Sequence, residues 1–348
     1  MTSEQLAVVS NYALYGAMGM LALAMVAYAV FLGVARSQAR IGHATGRVDD
    51  RVLVGASTTS EYNAPARPGA TLGGGLAEGA AAGIDALGAP QAERTDARSG
   101  AVATTLAWLG TMLLLASIVL RGVSVSRAPV SNMFEFAVAG AFLVMAVFLL
   151  LGMKRPLKWL GIFVVTPVLL ILGLAITVWY TEASELVPSL KSTWLVIHVP
   201  VAILASALFT IAFVVLLIHL VKARHEARQA AAGRDAVPSL LDTLPSASAL
   251  DRASYALHIA AFPLWTFTLI AGAIWGQQAW GTYWSWDPKE VWTFVIWVIY
   301  AAYLHSRATS GWSLRRSNVI AAVGYVAIVA NFTIVNMYFP GMHSYSGL

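Results

Sequence analysis

The stretch Phe134-Glu-Phe-Ala-Val-Ala-Gly-Ala-Phe-Leu-Val-Met-Ala-Val-Phe-Leu-Leu-Leu-Gly152, closed by Met153-Lys-Arg-Pro-Leu-Lys158, decides the class of fold. As a helix it spans the ~30 Å hydrocarbon core of a bilayer, and a basic cluster ends it. Working outward, about eight such runs occur, near Leu14–Val34, Ala101–Leu120, Phe134–Gly152, Trp159–Tyr180, Leu195–Val221, Tyr255–Gly276, Val291–His305 and Asn318–Met337. The composition agrees. Of 348 residues, 58% are hydrophobic and only 11% charged, against about 25% charged in an ordinary soluble domain. An all-α, polytopic membrane helix bundle is expected, and a water-soluble globule is excluded.

The basic residues orient it. Of the 22 Lys+Arg, only Arg121, Arg127, Lys191 and Lys289 fall outside the loops that follow spans one, three, five and seven. The span-end clusters Arg36/Arg40, Lys154/Arg155/Lys158, Lys222/Arg224/Arg228 and Arg307/Arg315/Arg316 all lie on one side. By the positive-inside rule that side is cytoplasmic, which puts both termini outside. The net charge of +5 is therefore an orientation signal, and nucleic acid is not an expected partner. The first span is too long for a signal-peptide core and has no charged region before it, so it reads as a retained helix over 1–35. Residues 36–100, rich in Gly, Ala, Pro and Thr, read as a disordered cytoplasmic linker. The Lys222–Arg252 loop reads similarly, with a helical start at 222–232. The functional membrane domain is expected over 101–348.

Chemistry concentrates on the outer face. Between spans six and seven lies Trp275-Gly-Gln-Gln-Ala-Trp280-Gly281-Thr-Tyr283-Trp284-Ser-Trp286-Asp287-Pro-Lys-Glu290-Val-Trp292. Six of the 12 Trp (residues 275, 280, 284, 286, 292 and 297) are in or beside it. One reading is an interfacial aromatic belt. Another is a flat amphipathic platform able to stack on a large planar ligand. Asp287, Pro288 and Glu290 also fit an N-cap, first position and capping box opening span seven. Among seven histidines, His198 and His343 lie outside and flank this loop. His305 ends span seven, about 22 Å along the helix from Glu290. His219, His225 and His305 suit helix C-termini, His43 is solvated, and His258 is as well explained by packing as by ligation. With no Cys in the chain, an outer histidine pair among aromatics fits bis-imidazole ligation of haem iron better than a zinc site.

The segment Trp280–Glu290 resembles the WWD signature of the haem-handling proteins of cytochrome c maturation. Within them the chain resembles the CcsA/ResC type, called CcsB in actinobacteria, of system II cytochrome c biogenesis. Pro129-Val-Ser-Asn-Met-Phe-Glu135, Leu186-Val-Pro-Ser-Leu-Lys-Ser-Thr-Trp-Leu-Val-Ile-His198 and the spacing to His305 and His343 extend the likeness from about Ala101 to the C-terminus. The resemblance implies a membrane subunit of a cytochrome c synthase, part of a holocytochrome c synthase (haem lyase) complex in the plasma membrane. It implies haem b as cargo, with His198 and His343 as outer axial ligands and His305 as inner ligand, His258 being the alternative. Trp280, Gly281, Tyr283, Trp284, Trp286, Asp287 and Glu290 would form the haem platform, and Arg121 and Arg127 would meet its propionates. A separate Ccs1/ResB-type partner would supply the opposite inner ligand. Apocytochrome c would present Cys-x-x-Cys-His on the extracytoplasmic face. The competing readings are a haem exporter or other secondary transporter, which the prolines Pro167, Pro200 and Pro263 inside spans would suit, and a cytochrome b-like electron-transfer subunit.

Overall fold

In the computed structural model, residues 1–49, 97–183, 192–232 and 239–343 are described. The described residues form helices and no strands. This is the outcome expected where the solvent offers the backbone no hydrogen bonds. The long helices are α1 (Ser3–Asp49), α2 (Ala97–Ser124), α3 (Met133–Lys154), α4 (Gly161–Thr177), α5 (Thr193–Ala232), α6 (Ala247–Trp280), α7 (Pro288–Ala308) and α8 (Leu314–Ala330). A π-helical turn, Asn331–Val335, and a short segment, Asn336–Tyr338, continue α8. Seven of the helical segments are long and apolar enough to cross a membrane. The remaining helix, α7, has 21 residues, about 31 Å at the helical rise, but it carries Lys289, Glu290, His305 and Arg307 near its ends. Its flank still presents Phe294 and Val298 outward, as α1 presents Leu23 and Val26, α6 Ile270 and α8 Val326. Rows of exposed apolar side chains on successive helices are what a lipid-facing surface requires.

Short-range signals set the helix ends. Asn132 caps α3, its Oδ1 accepting from Glu135 N at 2.9 Å, and the helix stops before Arg155-Pro156, where the backbone turns extended. At the end of α6, Gly281 takes the left-handed conformation with φ +77°, which terminates the helix at no steric cost.

The helices alternate in direction. Asn11, near the start of α1, donates to the Tyr180 hydroxyl just past α4 at 2.8 Å. The N-terminal end of the chain therefore lies at the same end of the bundle as the Trp-rich loop and the last described residues. Two hydrophobic cores fill the bundle. One gathers Tyr28, Met145, Leu160 and Leu172 of α1–α4 with the inner halves of α5 and α6. The other gathers Phe209, Trp265, Tyr300 and Ile328 of α5–α8. The α5–α6 pair is the wall common to both, and a cavity lies toward the Trp-loop end.

The opposite, basic end is more ordered than the sequence suggests. The first helix runs on to Asp49, past the span end expected at Val34, and residues 50–96 of the expected linker lie outside the described residues. The Lys222–Arg252 segment is not a loose loop where it is described. A 3-10 turn, Leu240–Thr243, is closed by a capping box between Ser239 and Asp242. Lys222 Nζ donates to Leu241 O at 2.8 Å, and His225 Nε2 lies 2.6 Å from Asp242 Oδ1. Because α5 extends to Ala232, His219 and His225 are not helix-terminal, contrary to expectation. His219 instead holds the start of α6 through Nδ1 and Ala247 O, 2.8 Å apart. Arg307 of α7 makes a two-pronged ion pair with Asp251 of α6, both contacts at 2.8 Å.

Close helix approach depends on small residues. A Cβ on Gly161 would run into the ring of Tyr28, which is fully buried. Gly161→Ala is expected to lower stability by about 1–3 kcal/mol, read as a fall in the thermal midpoint of the purified protein. Gly173→Ala, which meets open space, is expected to cause no fall.

Candidate functional site

The Trp-rich loop is a closed structure tied down by two carboxylates. Glu290 Oε2 accepts from Ser285 N at 2.8 Å, Ser285 Oγ at 3.0 Å and Asp287 N at 3.3 Å. Asp287 caps α7, with Oδ1 accepting from Lys289 N at 2.9 Å, and Pro288 takes the first helical position. The capping reading of Asp287 and Glu290 is therefore observed. Asp287 does more. Its Oδ2 accepts from Met342 N at 2.6 Å, and its Oδ1 accepts from His343 Nδ1 at 2.9 Å. Gly341 lets the tail come this close, since a Cβ there would collide with the Asp287 carboxylate. Burial pushes the Asp287 carboxyl up, but the hydrogen bond and charge of His343, with the N–H groups of Lys289 and Met342, outweigh it and hold the pKa below the usual carboxylate value.

His198 is anchored from another side. Its Nδ1 donates to Thr268 O of α6 at 2.9 Å, and Gly272 makes room for the ring, because a Cβ there would approach Cε1 to 2.8 Å. In both histidines Nδ1 faces an oxygen that can only accept. That selects the tautomer with the lone pair on Nε2, the arrangement of a metal-ligating imidazole. Trp275, 1% exposed, connects the pair. Its ring stacks on His198 at 6.3 Å with a 19° interplanar angle and meets His343 edge-on at 5.7 Å.

His198, His343, Trp275 and Trp284 line one cavity of about 460 Å³, within the range of small-molecule sites. Its walls are chiefly apolar and come from α3 to α8, with Phe136, Val144, Ile171 and Ile203 among them. Along α5 it reaches from His198 to Thr210, about 18 Å at the helical rise. One corner is polar. Lys289 Nζ donates to Asn331 O and Asn336 Oδ1, each at 3.1 Å, and all three residues line the cavity.

The platform residues divide. Tyr283, Trp284 and Glu290 line the cavity. Trp280 does not; it backs His343 edge-on at 4.7 Å. Gly281 is the stop of α6. Trp286 is 77% exposed with φ +61° and touches Trp284 edge-on at 5.9 Å. The expectation for Arg121 and Arg127 does not match their surroundings. Arg121 Nε donates to Glu135 Oε1 at 2.9 Å and its Nη2 to Thr181 O at 2.6 Å, while Arg127 donates to both Glu135 oxygens at 2.8 and 2.9 Å. Neither arginine lines the cavity; a buried carboxylate draws both, and together they clasp the α2–α3 turn.

At the basic end His305 is exposed on α7, with Nε2 3.4 Å from Thr309 Oγ1. His258 is buried. Its Nδ1 donates to Ser254 O at 2.7 Å, Nε2 has no partner, and the rings of Phe209, Tyr300 and Tyr303 enclose it at 4.7–5.9 Å. The sequence reading did not single out Trp275 and Lys289 within the Trp-rich segment, nor Gly272 and the π-turn at Asn331. The Asp-Pro-x-Glu pattern carries a capping signal, but no short-range signal says that the same aspartate reaches a histidine far along the chain.

A family model described as Cytochrome C assembly protein matches residues 128–343. Similar proteins include the cytochrome c biogenesis protein CcsA of Synechococcus sp. (strain CC9902), 34% identical over 72% of this chain and 88% of its own. The protein of the same name from Prochlorococcus marinus (strain MIT 9303) is 35% identical over 71% of this chain and 85% of its own. The CcsA of Guillardia theta is 38% identical over 48% of this chain and 58% of its own. The match takes in α3 through α8, the Trp-rich loop, His198, His305 and His343, and by it the chain belongs to the cytochrome c assembly protein family.

Proposed function

We propose that the protein is a haem-carrying membrane subunit of a cytochrome c synthase, in which His198 and His343 are the axial ligands of an outer haem b site. One observation carries the reading. Two imidazoles from distant parts of the chain, each with Nδ1 facing an oxygen acceptor, share one apolar, aromatic-lined cavity. A macrocycle supplies four equatorial nitrogens, so the protein has to furnish only the two axial ones. Tyr283 and Trp284 line the cavity against the macrocycle, whereas Trp275 and Trp280 brace the imidazoles. With basic residues gathered at the opposite end, the Trp-loop face is extracytoplasmic by the positive-inside rule, and the membrane is the plasma membrane.

In this scheme the outer site holds haem with a vinyl edge accessible to an apocytochrome Cys-x-x-Cys-His segment. Each thiol adds across one vinyl C=C: S–H breaks, C–S and C–H form, and no oxidant is consumed. This chain contains no Cys, so both sulfurs belong to the substrate. His305 takes haem at the cytoplasmic end. Its exposure on the flank of α7 suits an iron shared with a histidine of a Ccs1/ResB-type partner, whereas His258 would need three aromatic rings displaced before iron could approach.

The test is the absorption spectrum and haem content of the purified complex. His198→Ala and His343→Ala are each expected to lose the bis-imidazole spectrum, and unchanged haem content and ligation in both would defeat the outer-site assignment. His305→Ala should lower co-purified haem and His258→Ala should not; the opposite pattern would move the inner ligand to His258. Asp287→Ala is expected to weaken haem binding about 10- to 100-fold, the usual effect of removing the group that orients a ligating histidine, as measured by titration of the Soret band.

A further inference from the structure

We propose that Lys289, held in place by Asn331 and Asn336, is a carboxylate seat that takes one propionate of the haem held between His198 and His343. The inference rests on the haem reading above and adds the contact that would fix how the macrocycle is turned. Lys289 is the basic side chain among the described residues that line the cavity. Its ammonium group has three N–H donors, and the two bonds it makes, to Asn331 O and Asn336 Oδ1, go to neutral acceptors. The nearby carboxylates are otherwise engaged: Asp287 with His343, Met342 and the Lys289 backbone N, and Glu290 with the Ser285 and Asp287 groups. The Asp287 charge reaches Lys289 without a direct ion pair among the described residues, and a positive charge in a largely apolar cavity with no direct anionic contact is costly. A ligand that brings its own anion removes the cost.

The surrounding backbone is built for this. The π-helical turn at Asn331–Val335 widens α8 where its carbonyl meets Lys289, and such turns gather at functional sites. Asn331 is buried, lines the cavity, donates Nδ2 to Thr293 Oγ1 at 3.4 Å, and leaves its Oδ1 without a partner. That oxygen is an acceptor and does not meet a carboxylate; the donor in this corner is the Lys289 ammonium, which Asn331 O and Asn336 Oδ1 hold in place. Arg121 and Arg127, the other cations at this end among the described residues, are drawn to Glu135.

The seat has a definite task. Two axial histidines leave the macrocycle able to rotate about the axis through iron. An anchored propionate removes that freedom and decides which vinyl edge is presented, so orientation is set before the thiols arrive. Lys289 lies two residues from Asp287, which orients His343, so one turn of backbone would position both the iron ligand and the propionate contact.

The test compares ferric haem with its dimethyl ester, titrated into the purified protein and followed in the Soret region. The wild type is expected to bind haem roughly 10- to 100-fold more tightly than the ester, the range for a hydrogen bond to a charged group in a buried site. Lys289→Met should close that gap by weakening haem alone, with the bis-imidazole band position kept, and Asn336→Ala should narrow it. The wild-type comparison stands even if a variant fails to fold. Equal binding of haem and ester by the wild type, or full discrimination retained by a folded Lys289→Met, would overturn the seat and leave the haem site intact. If neither compound produced a Soret band, the haem reading itself would fall, and the seat with it.

Discussion

The Asp287 carboxylate joins three parts of the chain that would otherwise be independent. It caps α7, so the helix starts in a fixed place. It holds the tail through Met342 N and sets the tautomer of His343 through Nδ1. The C-terminal histidine sits beyond α8, where this carboxylate and the rings of Trp275 and Trp280 hold it. The Trp-rich loop gains its order from the same turn, because Glu290 closes the capping box and collects the Ser285 groups. A buried carboxylate with several charge-assisted partners is a stiff joint, and His343, which it holds, lines the cavity.

The bundle behind this joint lines the cavity with chiefly apolar side chains. The two hydrophobic cores share α5 and α6, and His198 stands on that wall. Its ring fits because Gly272 has no side chain to meet it. Trp275 then fills the space between the imidazoles and fixes their mutual angle. At the other end the Asp251–Arg307 pair and the capped turn at Ser239–Asp242 tie α5, α6 and α7 together. His305 is left exposed on the flank of α7, beside Thr309.

Much of this is legible in the sequence, for reasons that can be named. Apolar runs of span length report the helices directly, and the Asp-Pro-x-Glu pattern reports the start of α7, because both signals are local. Which side of a helix faces the cavity is not legible. Helices apolar on every face have little amphipathic periodicity, so Trp265 and Phe267 of α6 look alike in the sequence although one is buried and the other exposed. Charge counting treats Arg121, Arg127 and Lys289 as equivalent outer cations. Their difference comes from Glu135, which draws both arginines at the α2–α3 turn, and from the π-turn that brings Asn331 to the lysine. The order of the Lys222–Arg252 segment escaped the sequence reading because its partners, Asp242 to His225 and Asp251 to Arg307, lie on separate elements.

The central claim is that two imidazoles from one chain ligate one iron at the outer end of the bundle. Electron paramagnetic resonance of the ferric haem-loaded His305→Ala protein addresses this directly, since that background removes the inner site. The account predicts a single low-spin signal of bis-imidazole type that is replaced by a high-spin signal when His343 is also changed to Ala. A low-spin signal that persists unchanged without His343, or a high-spin signal from the start, would contradict it.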